Sequence, residues 1–273
     1  MENSIIYEKE LSKDERIINV RKASTPEAFD DSVTLYAIRY ISQEYEVEGY
    51  AAFPKNNKSI LKGLIFNRGG NKEEVQIHFP LLCKLANAGF AVFASQYRGN
   101  FGGTGKEDYG GEDVNDVISM IDIILDLSFI DKKGVYMIGA SRGGLMTYRA
   151  CSIDNRIIAA AIISGLADCF DMYNFRDDNM KAVLRELIGG SPTECSQEYI
   201  KRSAVYWADK IKAPLLLCHG TADTRIRVEQ AYNMVEKLKE AHKEYKLIIY
   251  EKAEHSLKGT TWIKDTIEWL RNY

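Results

Sequence analysis

Six short, continuous apolar runs constrain this chain more than any other feature, and each stops abruptly at a polar or glycine-rich loop. They occupy residues 63–66, 90–94, 135–138, 157–163, 214–218 and 246–250. Runs this short, with no strict two-residue alternation, suit strands buried on both faces. Most of the intervals between them have helical period. Residues 80–88 open with Pro80 and close at Gly89, residues 114–127 place Val117, Ile118, Ile121, Ile124 and Leu125 on one side, and residues 228–241 and 261–270 are similar. Strands alternating with helices predict an α/β fold, a mostly parallel twisted sheet with helices on both faces. Ahead of it, residues 36–41 and 45–50 alternate in character, as half-buried antiparallel strands do. One interval breaks the pattern. Residues 164–213 follow the sixth predicted strand and carry helical stretches at 179–188 and 197–202. A structureless loop of that length is uncommon, so the segment reads as a helical, cap-like insertion over the carboxyl ends of the strands. The expected organisation is one domain over residues 1–273, with residues 1–45 as lead-in.

Composition removes several function classes. A net charge of −3 leaves no basic footprint for nucleic acid or an anionic membrane. The first sixteen residues are charged and carry no apolar core of a secretory signal, and no window approaches the ~18 apolar residues of a membrane span. A cytoplasmic protein is expected. The five cysteines are scattered without a CxxC, and the four histidines show no HxxxH spacing, so neither a disulfide framework nor a metal site is expected, and no cofactor is implied.

Ligands of parallel sheets bind beyond the carboxyl ends of the strands. After Ile138 comes Gly139-Ala140-Ser141-Arg142-Gly143-Gly144. This GxSxG pattern matches a nucleophile elbow, a sharp strand–turn–helix that tolerates only small neighbours and presents one serine; a plain glycine-rich turn is the bland alternative. Past Cys218 stands Asp223, which alone reads as a helix cap. Past Tyr250 stands His255, which alone reads as a solvated loop residue. Together the three follow separate strands in the order Ser, Asp, His that an α/β-hydrolase elbow requires. Ser141 is therefore the candidate nucleophile, His255 the general base and Asp223 the acid that orients it. The backbone N–H of Arg142, at the start of the following helix, is the first oxyanion donor. The second comes from Asn67-Arg68-Gly69-Gly70, as a backbone N–H or the Asn67 amide. The Arg142 side chain is expected to lie along the elbow helix, a pair with an acidic residue being the alternative.

Further segments carry a family likeness. Gln96-Tyr97-Arg98-Gly99-Asn100 with Gly102-Gly103-Thr104-Gly105, then Gly110-Gly111-Glu112-Asp113 with Asp116, the His219-Gly220-Thr221-Ala222-Asp223 loop, Ala253-Glu254-His255, and Gly190-Ser191-Pro192 through Arg202-Ser203-Ala204 occur in one order. As a set, over residues 45–270, they resemble the catalytic domain of the prolyl oligopeptidase family of serine peptidases, within the α/β-hydrolase superfamily. The resemblance implies an acyl-enzyme on Ser141, Asp223 and His255. Three departures stand out. Many members have an aromatic or small residue after the nucleophile, where this chain has Arg142. The family often has a tyrosine beside the first glycine-rich loop, where this chain has Phe66-Asn67-Arg68, and its members often carry a large N-terminal propeller, where only residues 1–45 precede the likeness.

The expected substrate is a small-molecule or short-peptide acyl compound, a peptide on the family likeness, an ester if the site is open. Acyl transfer would use the same residues. The candidate substrate contacts are Tyr97, Phe170 and Tyr173. Arg98 is expected to pair with a carboxylate and pin its loop. A binding protein on an inactive hydrolase fold is the competing class, and it would be marked by loss of a triad residue.

Overall fold

A computed structural model describes residues 2–57, 59–74 and 76–273; Met1, Lys58 and Val75 lie outside them. The chain opens with helix α1 (Glu2–Leu11) and strands β1 (Ile17–Lys22), β2 (Val33–Ser42) and β3 (Tyr45–Pro54). Then come β4 (Leu61–Asn67), α2 (Phe79–Asn87), β5 (Phe90–Ser95), α3 (Val114–Asp126), β6 (Ile130–Ala140), α4 (Arg142–Ile153) and β7 (Ile157–Ile163). Helices α5 (Cys169–Phe175), α6 (Asp178–Ile188) and α7 (Ser196–Lys201) follow, and the chain ends with β8 (Leu215–Gly220), α8 (Glu229–Glu240), β9 (Tyr245–Tyr250) and α9 (Trp262–Arg271).

Among the described residues nine strands form one sheet, in the order β1-β2-β3-β5-β4-β6-β7-β8-β9. The pairs from β1 to β5 are antiparallel, and those from β5 through β4 to β9 are parallel. Successive residues of the inner strands point to opposite faces and build two cores. Val135 and Met137 of β6 join residues of α3, α4 and α8 on one face, whereas Tyr136 and Ile138 join α2 and α9 on the other. Each predicted apolar run falls on a strand, with Pro214 alone standing outside, one residue ahead of β8. The expected parallel sheet with helices on both faces is the one observed.

The sheet has one strand more than the sequence signals. β1 pairs with β2 at the edge and buries only Ile17, so its residues carry no apolar pattern to read. The helical segment of residues 164–213 consequently follows the seventh strand rather than the sixth.

Two interactions fix the loops at the carboxyl ends. Arg98 donates three hydrogen bonds to Asp116 of α3, from its backbone N (2.7 Å), Nε (3.0 Å) and Nη2 (2.7 Å), and its guanidinium lies 4.6 Å from the Tyr45 ring centroid. It pins its loop, as expected. At the start of α4, Gly143 lies so close to the end of β4 that a Cβ there would stand 1.9 Å from the Asn67 carbonyl oxygen. Both partners are backbone and cannot swing aside. Gly143→Ala should therefore push α4 off β4, costing about 1–3 kcal/mol or more; a lowered urea midpoint checks this, and an unchanged midpoint would contradict the close approach.

Candidate active site

Ser141 fills the single position between the end of β6 and the start of α4. Its backbone sits at φ 57°, ψ −123°, a region a non-glycine residue occupies at a cost of about 1–3 kcal/mol. Hydrogen bonds hold it there. Its N–H donates to Ile163 O (2.9 Å), and its carbonyl accepts from Gly144 N (2.9 Å) and Leu166 N (3.0 Å). Small residues make the turn feasible. A Cβ on Gly139 would meet Gly143 O and Thr147 Oγ1 at 2.2 Å, and one on Gly69 would stand 2.8 Å from Ser141 Cβ and 3.5 Å from its Oγ. The backbone of Gly69 thus borders the serine.

Asp223 lies in the turn after β8, and its two oxygens have separate partners. Oδ1 accepts the N–H groups of Arg225 (2.8 Å) and Ile226 (3.0 Å), closing an Asx-type turn rather than capping α8. Oδ2 accepts from His255 Nδ1 at 2.7 Å. His219, at the end of β8, brings Nε2 within 3.2 Å of the same oxygen and 2.8 Å of Ile226 O. A carbonyl only accepts, so the His219 proton sits on Nε2. Burial alone would raise the Asp223 carboxyl, but hydrogen bonds from His219 and His255 outweigh it and hold the group well below the usual carboxylate range. The ionised carboxylate fixes the His255 proton on Nδ1 and leaves Nε2 as the basic nitrogen. The loop bearing His255 rests directly on β8, where a Cβ on Gly220 would meet Ala253 O at 2.2 Å.

Ser141 and His255 line one cavity of about 620 Å³. Its apolar wall comes from Leu81, Tyr109, Ile163, Met172, Met180, Val183, Ile226 and Trp262, with Gly69 and Gly70 beside the serine and Arg176 and Arg225 among the polar residues. Helices α5 and α6 supply three of these side chains, Met172, Met180 and Val183, so the 164–213 segment contributes to the cavity.

Other candidates stand elsewhere. The Asn67 amide donates to Thr147 Oγ1 (2.8 Å), beneath α4 and away from the cavity. The Arg68 guanidinium is buried and donates to Gly69 O (3.0 Å), Lys72 O (3.1 Å) and Gln96 O (2.8 Å). Neither side chain reaches the serine, and the loop reaches it instead through Gly69 and Gly70. Tyr97 is corrected as a substrate contact: φ is 64°, its ring is fully buried, and its hydroxyl donates to Arg68 O (3.0 Å). Phe170 packs on Tyr199 and Tyr206, and Tyr173 packs on Tyr199 with the Arg185 guanidinium over its ring, so neither lines the cavity. The Arg142 side chain does not run along α4. It turns inward to Glu107 and Asp113. Of the cavity residues missed, Met180 and Val183 stand three apart on α6 and Met172 stands on α5, but helical period alone does not say which face meets the site.

Comparison with known proteins completes the picture. The model of the prolyl oligopeptidase family, Peptidase_S9, matches residues 78–273. The chain belongs to the prolyl oligopeptidase family. It is accordingly a serine hydrolase of the peptidase class. The uncharacterized peptidase YtmA of Bacillus subtilis is 31% identical over 261 residues, covering 94% of this chain and 99% of that protein. The human acylamino-acid-releasing enzyme is 28% identical over 225 residues, which are 71% of this chain but 29% of that enzyme. Among solved structures, an acylaminoacyl peptidase of Pyrococcus horikoshii superposes with a TM-score of 0.76 at 23% identity, over 88% of this chain and 42% of its own. The chain therefore spans less than half of these two larger proteins. Among the described residues no helix is long and apolar enough to cross a membrane.

The depressed Asp223 carboxyl has a consequence for stability. The folded protein binds this proton less readily than the unfolded chain, whose aspartate titrates near pH ~3.9. Its stabilisation is fully present above that value and is lost as pH falls through and below it. Asp223→Asn should reduce the acid sensitivity of folding between roughly pH 5 and 2, read by urea melts across that range. An equal slope in both proteins would contradict the pairing.

Proposed function

We propose that the protein hydrolyses short peptides or N-acylated amino acids through an acyl-enzyme on Ser141. The single observation carrying this reading is the 2.7 Å bond from His255 Nδ1 to Asp223 Oδ2 at the edge of a cavity that Ser141 also lines. Ser141 Oγ attacks the carbonyl carbon as His255 Nε2 takes its proton. Backbone N–H groups of Arg142 and of the Gly69-Gly70 loop stabilise the oxyanion. Collapse of the tetrahedral intermediate breaks the C–N bond, and His255 gives its proton to the departing amine. Water then attacks the acyl-enzyme, His255 receives its proton, and that proton returns to Ser141 Oγ. The apolar wall of Met172, Met180, Val183 and Tyr109 suits an apolar side chain next to the scissile carbonyl. The acylaminoacyl peptidases among its relatives support the choice of blocked amino acids as substrates.

Fluorophosphonate labelling read by intact mass tests the nucleophile. Wild type should gain one adduct and Ser141→Ala none, while Asp223→Asn should lower kcat by roughly 10³–10⁴-fold. No labelling of folded wild type would overturn the reading. Activity should then be compared on acylaminoacyl arylamides, free aminoacyl arylamides and p-nitrophenyl esters. Turnover confined to the esters would replace the peptide assignment with an esterase.

The cavity wall is tested separately. Met180→Trp should fill part of the 620 Å³ space and raise KM for substrates with a large acyl-side residue. Labelling by a small phosphonate should persist. Unchanged selectivity would remove α6 from the substrate site.

A further inference from the structure

The residue after the nucleophile sends its guanidinium into the protein, where it is 2% exposed. Nη2 donates to Asp113 Oδ2 (2.6 Å), and Nη1 meets Glu107 Oε1 and donates to Gly70 O (3.1 Å). The other Glu107 oxygen accepts the Lys72 backbone N–H (2.7 Å). Arg142 and its carboxylate partner therefore hold the loop after β4 at two points, one carbonyl and one N–H. The Tyr97 and Tyr109 rings lie 4.9 Å and 4.8 Å from the guanidinium carbon, which fixes its plane. Tyr97 in turn carries the Arg68 carbonyl on its hydroxyl, and the Arg68 guanidinium carries Gly69 O.

The direction of these bonds matters. In a trans peptide the carbonyl of one residue and the N–H of the next point opposite ways. Holding the Arg68 and Gly69 carbonyls on buried donors turns the Gly69 and Gly70 N–H groups away from those donors, in a segment that borders Ser141. Because Arg142 also begins α4, the residue that offers the first oxyanion donor from its backbone grips, with its side chain, the loop that offers the second.

We propose that Arg142 is a positioning residue of the hydrolytic reaction, its guanidinium fork locking the loop of residues 69–72 in register with Ser141 so that both oxyanion donors converge. The inference rests on the acyl-enzyme reading given above. A lysine cannot replace it, because a point charge does not hold Gly70 O, Glu107 and Asp113 in one plane.

The experiment compares wild type, Arg142→Lys, Arg142→Met and the triple variant Glu107→Gln/Asp113→Asn/Arg142→Met. Each is measured for the rate constant of fluorophosphonate labelling, for kcat and KM on the best chromogenic substrate, and for the urea midpoint. Arg142→Met leaves two buried carboxylates unpaired and should be strongly destabilised. The triple variant removes those charges and should regain most of the midpoint, yet label and turn over at least about tenfold more slowly than wild type, with KM within about twofold. Arg142→Lys retains the charge without the fork and should show a smaller loss in kcat; it decides the matter if the triple variant does not fold. Variants that fold and label at the wild-type rate, or that lose only KM, overturn the inference. No labelling of wild type sinks the acyl-enzyme reading and this inference with it, whereas equal labelling of wild type and variants sinks this inference alone.

Discussion

The backbone of Ser141, at φ 57° and ψ −123°, is the constraint on which the rest of the site depends. A serine does not stay in that region on its own account, and the surrounding chain over-determines it. Gly143 passes against the Asn67 carbonyl, Gly144 against Gly165, and Gly139 beneath the first turn of α4. Each of these approaches has backbone on both sides, with the Thr147 hydroxyl added at Gly139, so little can relax. The ends of β4, β6 and β7 and the start of α4 are thereby fixed relative to one another. Two different loops come to flank one hydroxyl for that reason.

The opposite side of the cavity is built by division of labour within one carboxylate. The oxygen of Asp223 that faces its own turn is satisfied by two backbone N–H groups, which locks the side chain before any histidine is considered. The other oxygen is then free to orient His255, with His219 bonding it from the strand end. The imidazole is aimed by the sheet, not by its exposed loop. The order of the sheet helps: β6, β7, β8 and β9 are neighbours in one parallel array, so the turns that follow them open on the same edge.

Much of this was legible in the sequence, for identifiable reasons. A strand buried on both faces has to be apolar throughout, so the inner strands announce themselves, and the catalytic candidates follow from asking what comes after each. β1 was silent because an edge strand with one buried residue has no pattern to display. The side chains beside the elbow were misjudged because direction, unlike position, depends on tertiary structure. Tyr97 adopts a left-handed backbone that turns its ring inward, and the glycines near Asn67 let the main chain, rather than the amide, reach the serine. On α5, Phe170 and Tyr173 are three apart and share one face, while Met172 lies on another, followed four residues on by Arg176 at the helix end. The aromatic face packs on Tyr199, and the other meets the cavity. Periodicity defined both faces without ranking them.

The inward turn of Arg142 also bears on how such a chain can change over time. The position after the serine looks like an open choice, exposed at the mouth of a cavity and free to vary with substrate. Here its side chain neutralises two interior carboxylates and lies against two interior rings. A lineage that exchanges it alone strands the charges of Glu107 and Asp113 in the core. The three positions are thus coupled through one buried charge network, and an exchange at Arg142 is tolerated best where the acidic partners are altered with it. Transplanting an elbow sequence from a relative, without the loops that carry Glu107 and Asp113, would carry the nucleophile across and leave its surroundings behind.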